Sequence, residues 1–285
     1  MRKLFRRLVK KLLSYAPASI KQAFSRLPFS RFSKIVSLLF WGKEDVAYRG
    51  CIFRINPGEF PDYYLYFFNA YVALEINALV ELCQNARIFA DVGANKGIFS
   101  CAVAQACAGI EVFAFEPDHQ IAREFCLNAA LNPAVTSRIH LVEKAAADQN
   151  AEMYFLPNEI FSGSGRLVSN QSGFSKTYRV ETVRLDSFFQ QIGIYPDVVK
   201  IDVEGAEAAV LKGMSGLFSR GFPKAILIEI HFVYAQDKYE LRKSMETLLE
   251  AAGFTFSYID ANIQSFSRAQ SVWPATVHLL AKKKC

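Results

Sequence analysis

The chain is poor in the residues on which compact metal and disulfide sites depend. Its six cysteines contain no C-x-x-C pair, and its four histidines are scattered away from them. Neither a zinc site nor a disulfide framework is expected, and a reducing, cytoplasmic setting suits the composition. Internal repeats and low-complexity tracts are absent, which excludes solenoids and arrays. A membrane-spanning run is missing as well: Ile98 to Phe115 carries only Glu111 as a charge, but Gly109 divides that stretch into a helix and a strand. Acids are absent from residues 1–43, which hold eleven Lys or Arg. The rest of the chain has 22 bases against all 27 acids, so the net charge of +6 belongs to the extension and the remainder is mildly acidic. A body of that sign is not built to grip nucleic-acid phosphates.

Within that extension, Met1 to Leu13 alternates basic and apolar pairs. Wound as a helix, it sets leucines and Phe5 on one face and bases on the other. Such a helix reads as attachment to an anionic membrane surface, which would make the protein peripheral to a membrane. An organelle transit peptide, or a helix docked on its own domain, gives the same pattern. Ile35 to Trp41 adds a second apolar patch.

What is present is concentrated in Ile88-Phe-Ala-Asp-Val-Gly-Ala-Asn-Lys-Gly-Ile-Phe-Ser100. An apolar run of strand formers ends at Asp91, a glycine-bearing turn follows, and Ile98 to Cys107 is long enough for a helix. This order puts backbone N–H groups and a helix N-terminus beside the carboxyl end of a strand, where open parallel sheets bind ligands. A dinucleotide turn wants G-x-G-x-x-G, and Asn95 stands where the second glycine belongs.

The alternation continues. Strands are expected at Glu111–Phe115, Ile139–Glu143, Val198–Ile201 and Ala225–Ile230, with helices at His119–Leu131, Leu185–Gln191 and Ala206–Met214. A last helix, Tyr239–Ala252, precedes two closing strands, Thr255–Ile259 and Ala275–Ala281. Ahead of the first turn lie a strand or hairpin near Tyr48–Asn56, an aromatic run and a helix from Ala70 to Cys83. Between Asn150 and Val183 the pattern loosens into two strands around a Gly/Ser loop, Phe161 to Arg166. The reading is an α/β fold with a mostly parallel, doubly wound sheet. It divides the chain into a basic helical extension over 1–45, a lead-in over 46–84 and a main domain over 85–285.

Candidate chemistry sits at strand ends. Glu116, 25 positions beyond Asp91, can accept hydrogen bonds from both ribose hydroxyls of an adenosine ligand, and Pro117 stops the strand behind it. In Pro196-Asp-Val-Val-Lys-Ile-Asp-Val-Glu-Gly-Ala-Glu207, Asp202 ends an apolar strand and faces the same crevice. Glu204 and Glu207 complement the next helix N-terminus as well as they serve any chemistry. Glu229 and His231, two apart on the next strand, share a face, so the carboxylate would orient the imidazole as a general base. These donors would also suit a divalent cation, but nothing in the spacing fixes a ligand geometry, and no metal is expected.

Taken together, Asp91-Val-Gly-Ala-Asn-Lys-Gly97, Phe113-Ala-Phe-Glu-Pro117, Leu185-Asp186, Lys200-Ile-Asp-Val-Glu-Gly-Ala-Glu207, Val210-Leu-Lys-Gly213 and Ile228-Glu229 resemble the FkbM family of methyltransferases over residues 85–232. The resemblance implies a seven-stranded, Rossmann-like class I methyltransferase fold. It implies S-adenosylmethionine as the cofactor, with Asp91, Gly93, Asn95 and Gly97 around its methionine part, Glu116 on the ribose, and Ala145 to Asp148 near the adenine. The acceptor it implies is a hydroxyl of a sugar or other small molecule, beside the Ser162–Arg166 loop, with Asp202 or His231 as base and Glu229 behind the histidine. A nucleic acid or protein methyltransferase is the rival enzyme, but the chain has no Asp/Asn-Pro-Pro-aromatic tetrapeptide and no Pro-Cys. A binding module that keeps the cofactor pocket without catalysis is the non-enzyme alternative.

Overall fold

The computed structural model describes residues 11, 42–59, 62–69, 72–158, 163–168, 176–259 and 274–284. The basic amphipathic segment, apart from Lys11, and Ile35 to Trp41 therefore lie outside the described residues. No helix among the described residues is long and apolar enough to cross a membrane.

A hairpin of β1 (Glu44–Tyr48) and β2 (Cys51–Ile55) leads in, followed by α1 (Asp62–Phe68) and α2 (Ala73–Cys83). The expected boundary after residue 45 thus falls inside a strand. Next come β3 (Ile88–Val92), α3 (Ile98–Ala106), β4 (Glu111–Phe115), α4 (His119–Ala130), α5 (Pro133–Thr136) and β5 (Ile139–Val142). A smaller unit follows: β6 (Ala145–Ala146), β7 (Ala151–Leu156), β8 (Arg166–Val168) and β9 (Tyr178–Val183). The chain then returns through α6 (Leu185–Ile192), β10 (Val198–Ile201), α7 (Glu207–Lys212), α8 (Ser215–Ser219), β11 (Ala225–His231), α9 (Lys238–Ala251), β12 (Phe254–Tyr258) and β13 (Thr276–Lys283).

The main sheet is seven-stranded and mixed, in the order β12-β13-β11-β10-β3-β4-β5. From β11 to β5 all neighbours are parallel, whereas β13 runs antiparallel to both β11 and β12. Side-chain parity sorts the two faces. Phe89, Val112 and Val198 pack with the hairpin, α1, α2 and α3, while Ala90, Val199, Ile201 and Ile228 pack with α6, α7 and α9. Burial on both sides explains why these strands read as continuous apolar runs. Each large side chain sealed there contributes roughly 1.5–3 kcal/mol over an exposed position. The lead-in is part of the same body: Asn128 of α4 and Asn132 just before α5 accept the N–H groups of Arg54 and Ile52, both at 2.7 Å, and so tie the edge of β2 to the end of α4 and the start of α5.

β6 to β9 form a separate four-stranded sheet, ordered β6-β9-β7-β8. The sequence pattern gave two of these strands but not the sheet.

Candidate active site

Four neighbouring parallel strands, β4, β3, β10 and β11, deliver their carboxyl ends to one place. After β3 the turn holds Gly93 at φ 76°, Asn95 at φ 50° and Gly97 at φ 84°. Gly93 is required by contact as well as by conformation, since a Cβ there would stand 1.7 Å from the carbonyl oxygen of Asp202. The ends of β3 and β10 are pressed together at this point.

Two buried lysines brace the turn. Lys200, the one polar residue of β10, donates to the Gly93 carbonyl at 3.0 Å and lies 3.2 Å from Asp91 and 3.4 Å from Asp202. Lys96 pairs with Asp62 of α1 at 2.7 Å, with both side chains almost fully buried. Charges so deep persist only when paired.

The turn opens into a cavity of about 220 Å³, lined among others by Gly93, Asn95, Glu116, Ala145, Asp202, Glu229 and His231. At one end stands Glu116, 5% exposed, whose two carboxylate oxygens accept the N–H groups of Asn95 and Asp118, each at 2.9 Å. Burial pushes its carboxyl up to about 8 against those two bonds. Each oxygen keeps lone-pair capacity toward the cavity. Ala145, Ala146 and Phe155 form an apolar wall beyond Glu116, and Gly163 to Leu167 close the cavity from the smaller sheet.

The other end is a cluster of charge around His231. Its Nδ1 makes a 2.7 Å hydrogen bond with Glu207, a carboxylate that is completely buried. Its Nε2 lies 3.5 Å from Glu204, 3.7 Å from Glu229 and 3.8 Å from Asp202. Burial opposes charge on the ring, but the Glu207 bond and the nearby Asp202 and Glu204 outweigh it and raise His231 to about 10. Burial also raises Glu204 above the usual carboxylate range, against the pull of His231.

Several expected placements change. Asp91 does not reach the cavity: β3 runs one residue beyond it, and its side chain points into the interior, where it takes a 2.6 Å bond from Ser100. Gly97 caps α3 and abuts Phe125 instead of lining the cavity. Asp148 is exposed beyond β6, and its carbonyl accepts a bond from Arg184. Glu229 does share a face with His231, but the short bond that fixes the imidazole comes from Glu207. The positive charge that these acids favour on the ring opposes the expected role of His231 as base. Ser162 of the loop lies outside the described residues.

Reading the sequence also missed Lys200, Phe155 and the Glu207–His231 bond. A lysine inside the apolar run Val198–Ile201 was a signal for the first; the other two depend on which elements become neighbours.

A family model described as "Methyltransferase FkbM domain" matches residues 91–256. Among curated proteins, the hexuronic acid methyltransferase AglP of Haloferax volcanii is 28% identical over 158 residues, 55% of this chain and 61% of that protein. The match thus spans less than two thirds of that relative's length. The 2-O-methyltransferase NoeI of Sinorhizobium fredii is 28% identical over 182 residues, 57% of this chain and 70% of that protein. Among solved structures, the methyltransferase FkbM of Methylobacillus flagellatus aligns at 16% identity with a TM-score of 0.45, covering 69% of this chain and 43% of that one.

Proposed function

The chain belongs to the FkbM methyltransferase family, and from that premise we propose that it transfers a methyl group from S-adenosylmethionine to a hydroxyl of a sugar or related small molecule. The observation that carries the reading is the cavity itself, which joins a carboxylate suited to ribose with a cluster suited to an acceptor. The strand order, with helices on both faces, supports the class I methyltransferase fold. The sugar methyltransferases among the relatives favour a sugar acceptor.

The residues present fit the cofactor. Glu116 offers two oxygens to the ribose hydroxyls, Gly93 presents backbone to the cavity at the end of β3, and Ala145, Ala146 and Phe155 provide an apolar wall for the adenine. When bound, S-adenosylmethionine supplies a methyl group already activated on a sulfonium sulfur. What remains for the protein is to align an acceptor oxygen in line with that methyl, exclude water and take a proton. The acceptor oxygen would take the methyl as the methyl–sulfur bond breaks and the sulfur leaves as a neutral thioether, and the oxygen's proton would pass to a cavity carboxylate. Asp202 and Glu204 both line the cavity, and burial raises Glu204, which suits it to hold that proton. His231 serves this step by holding the carboxylates of Asp202, Glu204 and Glu229 around it.

Calorimetric titration of S-adenosylmethionine into the full chain tests the reading. Binding should weaken at least tenfold, about 1.4 kcal/mol, in Glu116→Ala. A folded wild-type protein that does not bind the cofactor would overturn it.

A further inference from the structure

The cluster around His231 has the composition of a metal centre. Asp202, Glu229 and His231 each turn one donor atom to a common region of the cavity, all within 4.8 Å of one another. The distances from Nε2 of 3.8 Å to Asp202 and 3.7 Å to Glu229 are too long for hydrogen bonds. They fall between the roughly 3 Å and 4.2 Å that separate adjacent and opposite ligands around an ion with bonds of ~2.1 Å. Independently of the acids, the His231 side chain is 6% exposed, its Nε2 faces the cavity, and among the described residues that atom makes no hydrogen bond.

Glu207 supplies what such a histidine needs. It is fully buried and 2.7 Å from Nδ1, so with a neutral ring it holds the proton there and leaves the Nε2 lone pair to the cavity. Carboxylates behind metal-bound histidines commonly do this. The charge balance points the same way: the four carboxylates of Asp202, Glu204, Glu207 and Glu229 surround His231, against Lys200, 3.4 Å from Asp202 and attracted to Glu229 as well, and the imidazole of His278, 3.5 Å from Glu229. Two carboxylates and one imidazole, with no thiolate, favour a hard ion.

We propose that Asp202, Glu229 and His231 bind one divalent cation of the magnesium or manganese class, whose remaining positions take two adjacent oxygens of the acceptor. The acceptor half rests on the methyltransferase reading; the cation half stands without it. Glu204, hydrogen-bonded to Ser164 and Tyr234, is left outside the ligand set. An acceptor with a vicinal diol, or a hydroxyl beside a carboxylate, is then favoured over a lone alcohol.

The test is titration of Mn²⁺ into the chelator-treated full chain, followed by loss of the free-ion electron paramagnetic resonance signal. Binding should saturate at one ion per chain, yield to competing Mg²⁺, and weaken at least tenfold in both Asp202→Asn and Glu229→Gln. Circular dichroism establishes that each variant is folded. Absence of stoichiometric binding to the wild type, or binding indifferent to both substitutions, would overturn the proposal and leave a proton on His231 as the charge that holds the carboxylates. Calorimetry with S-adenosylmethionine on the same samples separates the two readings. Cofactor binding without Mn²⁺ binding sinks the cation alone; Mn²⁺ binding without cofactor binding sinks the methyltransferase reading and leaves the cation site standing.

Discussion

The two ends of the cavity are built on opposite principles. At the Glu116 end the carboxylate is satisfied by backbone, with one N–H on each oxygen at 2.9 Å, so its geometry is fixed before any ligand arrives. At the His231 end, three carboxylates stand 3.5 to 3.8 Å from the same nitrogen, close enough to repel one another but too far to be bonded through it. The first end is preorganised for neutral hydroxyls. The second stores electrostatic cost that only positive charge relieves. Binding precision comes from backbone turns, and chemical demand from side-chain charge.

The largest effect should come from breaking the backbone end. Gly93→Ala would force a Cβ to 1.7 Å from the Asp202 carbonyl at a φ of 76°. The strain and overpacking together should cost about 3 kcal/mol or more. Because the same turn aligns Asn95 with Glu116, cofactor binding should be lost along with melting temperature. Thermal unfolding and calorimetry read the two together. A variant that melts like the wild type and still binds would show that the turn is not the rigid element.

At the charged end, a substitution should spare the fold and strike the chemistry. Glu204→Gln removes a like charge from the cluster and keeps a polar side chain of the same length, so melting temperature should hold or rise. If Glu204 takes the acceptor proton, kcat should fall about 10²- to 10⁴-fold. The cofactor dissociation constant should stay within about twofold. A fall confined to KM would move the residue from proton transfer to acceptor positioning.

The same division separates what the sequence made legible from what it did not. β4 and β10 occupy Glu111–Phe115 and Val198–Ile201 as expected, because short apolar runs bounded by turn residues specify buried strands. Glu116, Gly93 and Asp202 follow at once, since a strand end is a place in the fold. The charged end was harder. Glu207 and His231 are 24 positions apart, and their bond exists only because α7 packs against the end of β11. Parity along β11 put Glu229 on the correct face, but it said nothing about a nearer carboxylate from a neighbouring element. Asp91 lies one residue inside β3 rather than at its tip, and its side chain faces the interior. β6 and β8, two and three residues long, carry no period to detect, so the smaller sheet was invisible, and only the resemblance put Ala145 and the Ser162–Arg166 loop beside the ligands.

The smallest effect expected is one of pH, and it sharpens the contrast from the Glu116 side. Burial raises this carboxyl to about 8, so near pH 7 the unliganded protein holds it mostly protonated. Ribose hydroxyls donate best to the ionised form, which means cofactor binding must release that proton. Affinity for S-adenosylmethionine should therefore rise with pH, by roughly fivefold between pH 7 and 8, and level off above. For the unliganded fold the sign is reversed. The native state holds the proton more tightly than the unfolded chain, so this group's contribution to stability is full below about 4.5 and is lost as pH rises through about 8. Calorimetry from pH 6 to 8 on the wild type and Glu116→Gln isolates the effect. The variant should show a flat profile; an unchanged slope would assign the proton to another group and remove Glu116 as the preorganised end of the cavity.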